Sequence, residues 1–357
     1  MRSLLLLIAL GCVLAGFAAA QQAMSLPDTA RARTHFTRGN VFATHSQFDS
    51  ANASAEQARA IYERAAHSYN DANSWDVYVR CLNLLGNNLR KQGEYEKALR
   101  ILQQALHLGE TKLGAVHAQV GITYGLIGVV YWSKGEYERV EEFYRKALTV
   151  KQQAFGENHL EVANGYNNFG IFYWNKGDYD LALSYYLKAL AIRRSLYGEN
   201  HAQVGQSYNN LGIVYWNKGD YERATEYYLK AQSVLLQTLE ETDPAISNLY
   251  NNLAIIYDER GDYDMALAYY TKSRDLRRQT LGEEHPEVAA SYANLGDTYY
   301  RKGQYREALD NLQRGLRIYQ KSLEENHSNF AQCYLSLGLV HAALGEVHPA
   351  YRGERPT

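Results

Sequence analysis

Residues 166–179 read YNNFGIFYWNKGDY, and residues 208–221 read YNNLGIVYWNKGDY. The two stretches are 42 residues apart, and a glycine recurs at this period along most of the chain. These turn glycines are Gly93, Gly135, Gly177, Gly219, Gly261, Gly303 and Gly345. Phased self-similarity of this kind is the sequence signature of an architecture in which one structural unit is copied and stacked.

Each 42-residue unit is predicted to be a pair of helices. Before Gly219, the residues Tyr208, Leu211 and Tyr215 recur at helical spacing, and a second stripe begins at Tyr221. A glycine between two helical stripes is a natural left-handed stop for the first helix. The period therefore predicts a helical hairpin that turns at the glycine.

A small residue seven positions before each turn glycine indicates where the two helices of a hairpin touch. Glycine inside a helix costs about 1 kcal/mol relative to alanine, so its recurrence needs a steric reason. Small residues five positions after the turn glycine, such as Ala98 and Ala224, are the predicted partners. The small residues seven positions before the turn glycines are Gly86, Gly128, Gly170, Gly212, Ala254, Gly296 and Gly338.

The order of small residue, aromatic, glycine, tyrosine, alanine, aromatic and alanine resembles the tetratricopeptide repeat. One unit carries it at Gly212, Tyr215, Gly219, Tyr221, Ala224, Tyr228 and Ala231. The usual unit has 34 residues. The 42-residue unit and the text GENHLEVA, GENHAQVG and GEEHPEVA resemble the kinesin-light-chain subtype. The resemblance implies an all-α fold, a right-handed superhelical solenoid of stacked antiparallel helix pairs over residues 79–351, with about six full repeats and a truncated seventh.

The first 20 residues are predicted to be a cleavable signal peptide. Arg2 precedes an apolar run at 4–14, and small residues end at Ala20 before polar Gln21. An uncleaved anchor is the alternative. We therefore expect a secreted or periplasmic protein with no stable membrane span after cleavage. Residues 21–78 are predicted to be a flexible start and a degenerate helical cap, and residues 352–357 a tail. Sequons at Asn52 and Asn326 matter only in a eukaryotic secretory route.

Composition and motifs argue against several functions. The chain has 37 Lys+Arg and 39 Asp+Glu, a balance that disfavours nucleic acid as a partner. No P-loop, H-E-x-x-H, G-x-S-x-G or C-x-x-C motif occurs, so we predict a non-enzymatic protein without cofactor or metal. Cys81 and Cys333 are predicted to be inert buried thiols. Histidines with the 42-residue period are predicted to bond at helix starts: His117, His159, His201, His285 and His327.

Three rows of the first helices are predicted to face the concave groove of the solenoid, as the resemblance implies. Asparagine amides there can pair with both N–H and C=O of an extended peptide, and tryptophan adds flat area and a donor. Packing of the tryptophans between neighbouring first helices is the alternative. The predicted ligand-binding residues are Asn167, Asn209 and Asn251, Trp132, Trp174 and Trp216, Asn175 and Asn217, and Arg90 and Lys91.

The favoured interpretation is a protein- or peptide-binding scaffold or adaptor that acts outside the cytoplasm and holds an extended ligand in this groove. The alternatives are a structural component of an envelope machine for polysaccharide or pilus export, and the repeat region of a truncated larger protein, for example one with a downstream catalytic domain. Arg80, Arg90 and Lys91 at one end, against Asp258 and Glu259 later, predict a ligand whose acidic segment lies near the first unit. The seventh unit lacks a second helix, which allows a partner or self-contact at its uncapped face.

Overall fold

The computed structural model describes residues 48–322 and 328–345. The predicted signal peptide at 1–20, the tail at 352–357, the sequon at Asn326 and the histidine His327 lie outside the described residues. Regular structure in the described ranges is helical throughout, in fourteen helices and one π-helical turn. The chain divides into two compact units, Met1–Lys176 and Gly177–Thr357.

Each unit consists of consecutive helices that pack against their neighbours in sequence. In the first unit they are α1 (Phe48–Tyr69), α2 (Ala72–Lys91), α3 (Tyr95–Leu108) with its π-helical extension (Gly109–Leu113), α4 (Ala118–Lys134), α5 (Tyr137–Phe155) and α6 (Leu160–Asn175). In the second unit they are α7 (Tyr179–Tyr197), α8 (Ala202–Asn217), α9 (Tyr221–Thr238), α10 (Pro244–Glu259), α11 (Tyr263–Leu281), α12 (Pro286–Arg301), α13 (Tyr305–Ser322) and α14 (Ser328–Ala343). The even-numbered helices from α2 to α14 precede the turn glycines and are called the first helices.

The turn glycines adopt the left-handed conformation that was predicted for them. All seven have φ between 73° and 83°, a region that a side chain rarely tolerates. The acidic residue after the glycine begins the second helix. Asp178 and Asp220 cap it, because each carboxylate accepts a hydrogen bond from a backbone N–H three residues later. Glu94, at the same position, makes no such bond.

In four repeats, at Gly86, Gly128, Gly212 and Gly296, close packing requires the glycine, and the side chain nearest to it lies four positions beyond the predicted partner. At Gly296 the predicted partner Ala308 also approaches, through its backbone oxygen at 3.2 Å. A Cβ built on Gly212 would lie 2.6 Å from Cδ1 of Tyr228, nine positions after the turn glycine. The same clash occurs between Gly86 and Leu102 at 2.6 Å. Side chains in a helix lean towards its N-terminus. The ring of Tyr228 therefore lies beside Ala224, one turn earlier in the second helix, and contacts the first helix there. The glycine therefore makes room for a large side chain.

Buried contacts between successive repeats of the second unit differ in chemistry. Arg193 of α7 donates from Nη1 to the hydroxyl of Ser207 of α8 at 2.7 Å. Arg277 of α11 donates to Ser291 of α12 at 3.0 Å. The repeat between them holds buried apolar residues at both positions. These residues are Leu235 and Leu249. Polar and apolar pairings therefore alternate along this unit.

The periodic histidines begin the first helices, which confirms their predicted role for the described residues. Nδ1 of His159 accepts a hydrogen bond from the backbone N–H of Glu161 at 3.1 Å, and the ring stacks on Phe155 at 4.2 Å. His117, His201 and His285 make the same cap. A capping nitrogen must be unprotonated to accept, so these caps require a neutral imidazole. Asp243 replaces histidine at the start of α10.

We expect the His201→Asp variant to gain stability relative to the wild-type chain as the pH falls from 7 to 5. Burial and the charge of Arg193 lower the pKa of His201 in the folded chain. The stability that neutral His201 contributes is therefore complete above its unfolded pKa of about 6.5 and is lost as the pH falls through the folded value. Because the unperturbed pKa of aspartate is about 3.9, an aspartate cap keeps its acceptor over this range, so the difference should grow by about 1 kcal/mol. Urea unfolding at the two pH values measures it, and a constant difference would contradict the cap.

Candidate ligand-binding face of the first helices

One face of each first helix carries the predicted binding residues. Positions thirteen, ten, six, three and two before the turn glycine fall on one helical stripe. The residues of this stripe are mostly half-buried, so each packs on its neighbours and keeps part of its surface accessible. The stripe is called the first-helix face.

The tryptophans pack between repeats while they remain half-buried on this face. The ring of Trp132 meets Tyr137 edge-on at 5.6 Å, and it meets Phe172 of the next first helix at 6.1 Å. Trp174 on α6 and Trp216 on α8 occupy the equivalent position and are also half-buried. The packing alternative is thus observed for Trp132. Ligand contact by the exposed part of these rings stays a prediction.

The asparagine row joins neighbouring first helices directly. Nδ2 of Asn252 donates to Oδ1 of Asn209 at 3.0 Å, and Nδ2 of Asn294 donates to Oδ1 of Asn251 at 3.2 Å. Asn167 is half-buried at the same position of α6. Each amide has two acceptor lone pairs and two donor hydrogens, so one such bond leaves capacity for a ligand. The predicted binding row is therefore also a connection between repeats.

The row two positions before the turn glycine folds back on its own helix. Nδ2 of Asn175 donates to the carbonyl of Ile171 at 2.9 Å, and Nδ2 of Asn217 donates to the carbonyl of Ile213 at 2.8 Å. The hydroxyl of Ser133 makes the same bond in α4. These side chains are held in place beside the residues six positions before the turn, which fixes where their remaining amide atoms lie.

An apolar row six positions before the turn glycine also belongs to this face, and sequence reasoning missed it. Ile171 is 38% exposed and Leu339 is 46% exposed, although both are large apolar residues. The 42-residue recurrence of an aliphatic side chain beside polar rows was the signal that would have found it. Asn87 and Asp297 interrupt this row. Its aliphatic members are Val129, Ile171, Ile213, Ile255 and Leu339.

Two adjacent cations lie on this face in the first unit. Nε of Arg90 donates to Asn87 at 3.2 Å, and Nη1 lies 3.4 Å from the hydroxyl of Ser133. Burial lowers the pKa of Arg90, and burial together with the charge of Arg90 lowers the pKa of Lys91. Among the ion pairs of the described residues, none involves Arg90 or Lys91, whereas Arg80 pairs with Asp76. An anion that approached this pair would be stabilised by both charges.

Carboxylates replace the tryptophan and asparagine of this face in α10. Oδ2 of Asp258 lies 2.9 Å from Nη1 of Arg301, and Oε1 of Glu259 lies 3.8 Å from the same nitrogen. Burial raises the pKa of Asp258 although Arg301 opposes this effect. Helices α2 and α10 therefore carry charges of opposite sign at these two positions of the first-helix face.

Other groups in the described ranges do not add a reactive or membrane-spanning feature to this face. Cys81 and Cys333 are buried free thiols, and burial raises the pKa of Cys333 to about 11. Residues 48–322 and 328–345 contain no cluster of three histidine, cysteine or acidic residues arranged to hold a metal ion. None of the helices in these ranges combines the length and the apolar character that a bilayer crossing demands.

Comparison with protein families identifies the class to which these repeats belong. A family model described as tetratricopeptide repeat matches residues 78–153, 161–237 and 245–321, and a second model of that description matches residues 210–279. The chain therefore belongs to the tetratricopeptide repeat family. No curated relative matches it. The predicted all-α tetratricopeptide repeat fold is confirmed. Tetratricopeptide repeat proteins are generally non-enzymatic scaffolds that bind proteins.

Solved structures share this architecture. BtubC (BKLC) from P. vanneervenii is 27% identical, with 66% of this chain and 92% of that one covered at a TM-score of 0.59. A putative kinesin light chain of Podosopora anserina with nearly identical TPR-like repeats is 19% identical, covers 59% of this chain and 99% of that one, and has a TM-score of 0.50. Apo RapI is 17% identical, with 88% and 84% covered and a TM-score of 0.64. The last two show the fold alone.

Proposed function

We propose that the chain is a non-enzymatic scaffold that binds a protein or peptide in extended form along the first-helix face. The observation that carries the proposal is the position of an accessible apolar row beside a row of amides. In the second unit, Ile213 and Ile255 lie next to the row of Asn209 and Asn251. Aliphatic side chains can receive alternate side chains of an extended ligand, while amides pair with its main chain.

The first unit favours an acidic segment of that ligand. Arg90 and Lys91 lack a carboxylate partner among the described residues, and each has a pKa lowered by burial. A ligand carboxylate would stabilise the charged forms of both side chains and would form a charge-assisted hydrogen bond with the guanidinium of Arg90. The fixed position of Arg90 beside Asn87 and Ser133 reduces the ordering cost of such a contact.

The proposed place of action is the periplasm or the extracellular space, because residues 1–20 have the order of a secretory signal peptide. The proposed partner is a protein or peptide and not a nucleic acid, since the chain has no basic excess. N-terminal sequencing of protein from the native compartment tests the route: a chain that begins at Gln21 supports export, and a chain that retains residues 1–20 contradicts cleavage.

Capture of partners from the native compartment tests the binding face. We expect the triple variant Asn167→Ala, Asn209→Ala and Asn251→Ala to lose at least about tenfold of captured partner, because the ligand main chain loses its amide contacts. The double variant Arg90→Glu and Lys91→Glu should lose a similar amount of an acidic partner. Asn311→Ala is the matched control, because its amide donates to the carbonyl of Glu307 on α13, away from this face. Undiminished capture by folded forms of the first two variants would contradict the proposal.

A further inference from the structure

The last described helix, α14, presents two exposed leucines on its first-helix face. Leu335 is 61% exposed and Leu339 is 46% exposed, and the two lie one turn apart. The opposite side of α14 is packed, because Leu337 and Val340 join Ala308 in a buried cluster with α13. The helix is thus anchored by one side, and its exposed leucines are presented on a fixed support.

Asp297 of α12 lies beside these leucines. Its carboxylate accepts hydrogen bonds from the side chains of Ser336 and Gln332, which occupy the same helical stripe of α14 as Leu335 and Leu339. Five of the other repeats place an aliphatic residue at the position of Asp297, and the first places Asn87 there, so the carboxylate interrupts the apolar row at this point. The side chain of Asp297 is half-buried, and this burial raises the pKa of its carboxyl group.

The negative charge continues from Asp297 to α10. Arg301 interacts with Asp297 and forms the ion pairs with Asp258 and Glu259. Two carboxylates of α10 therefore share one guanidinium of α12, and the charge of that guanidinium also acts on Asp297. Asp258 is only 9% exposed, and its Oδ1 has no hydrogen-bond partner among the described residues. A second cation would balance the negative charge that remains on these carboxylates. Its desolvation cost would be offset by their attraction.

We propose that the first-helix face of α12 and α14 binds a segment of a partner protein that combines aliphatic and basic residues. This inference rests on the proposed function and adds the chemistry of the ligand at this end. Leu335 and Leu339 receive the aliphatic side chains, and the basic side chains approach Asp297. A second copy of the chain fits less well, because two such faces brought together would oppose carboxylates of the same sign.

Fluorescence anisotropy with two peptides of about twelve residues tests the charge preference. One labelled peptide has pairs of leucines separated by lysines, and the other has glutamate in place of lysine. In a chain that carries Arg90→Gln and Lys91→Gln, so that the first unit offers the glutamate peptide no cations, we expect the lysine peptide to bind at least about tenfold more tightly, and this preference should shrink at high salt. The variant Asp297→Asn keeps an acceptor for Ser336 and should reduce the preference. Equal binding of the two peptides, or tighter binding of the glutamate peptide, would overturn the inference.

Two leucine variants test the location. The double variant Leu335→Ser and Leu339→Ser should lower the affinity for the lysine peptide at least about tenfold, because two aliphatic contacts are lost. Leu187→Ser is the matched control, since Leu187 is 43% exposed on α7, a second helix. An equal loss in the control would overturn the location. Sedimentation that shows a dimer in the wild type and a monomer in the double variant would instead assign the leucines to a second copy.

Failure of this inference can be distinguished from failure of the proposed function. If native capture depends on Asn167, Asn209 and Asn251 but the lysine peptide does not bind, only the chemistry at α12 and α14 is wrong. If the lysine peptide binds at Leu335 while capture of native partners is unchanged in the asparagine variant, the extended binding face is wrong and the site at α12 and α14 is supported.

Discussion

Replacing Gly212 with valine is expected to destabilise the chain by about 3 kcal/mol. A Cβ at this position would lie 2.6 Å from Cδ1 and Cε1 of Tyr228, and the Tyr228 side chain is only 2% exposed. The closely packed interior transmits this strain to the hairpin of α8 and α9. The small gain in helix propensity on replacing glycine offsets only part of the cost. The midpoint of urea unfolding, followed by circular dichroism, measures the effect.

Gly338 provides the matched control at the same position of the repeat. A Cβ built there meets no atom within 4 Å. The Gly338→Ala variant should therefore stabilise the chain by about 1 kcal/mol, because alanine removes the entropic penalty of glycine inside a helix. The steric explanation requires that the free energy of unfolding falls on substitution of Gly212 and rises on substitution of Gly338. Destabilisation of both by a similar amount would show that the glycine serves another purpose.

The second large effect is expected at Asn88, where Asn88→Val should stabilise the chain by about 1–3 kcal/mol. Asn88 is 0% exposed, and neither its Oδ1 nor its Nδ2 has a hydrogen-bond partner among the described residues. Other repeats hold apolar residues at this position, such as Val130, Val214 and Ile256, all of which are 0% exposed. Valine removes the desolvated amide and fits a site that the fold already fills with this residue elsewhere.

The reciprocal variant, Val214→Asn, is the control for Asn88. It introduces a buried amide into an apolar site of α8 and should destabilise the chain by about 3 kcal/mol. Thermal unfolding of the two single variants measures both effects. A loss of stability in Asn88→Val comparable to that in Val214→Asn would mean that the amide of Asn88 is satisfied in solution.

The hairpins were predictable because their signals are local. A glycine at a fixed period, flanked by two helical stripes, specifies the turn and both helices without reference to distant residues. The partner of Gly212 was not predictable from spacing alone, since Ala224 and Tyr228 both face the first helix. The lean of the Tyr228 side chain towards the helix N-terminus decides the contact, and that depends on three-dimensional direction.

The binding face was predicted only in part. The tryptophan and asparagine rows stand out in the sequence, but the bond between Asn252 and Asn209 joins residues 43 positions apart. Whether such amides meet depends on the distance between helices, which local spacing does not contain. The row that includes Ile213 was missed because an aliphatic residue at helical spacing is typical of a core. The role of Asp297 on this face could not be predicted, because it depends on hydrogen bonds with side chains of α14 that are distant in sequence.

The alternation of buried Arg–Ser and Leu–Leu pairs has a consequence for how the chain finds its register while it folds. Neighbouring repeats that are nearly identical favour mispairing, in which a helix docks one repeat too far along the chain. If α7 docked on α10 in place of α8, Arg193 would meet Leu249 and would bury its guanidinium without the hydroxyl that it reaches in Ser207. That error would cost several kcal/mol. The alternating pairs therefore make adjacent repeats chemically distinct and disfavour docking that is shifted by one repeat.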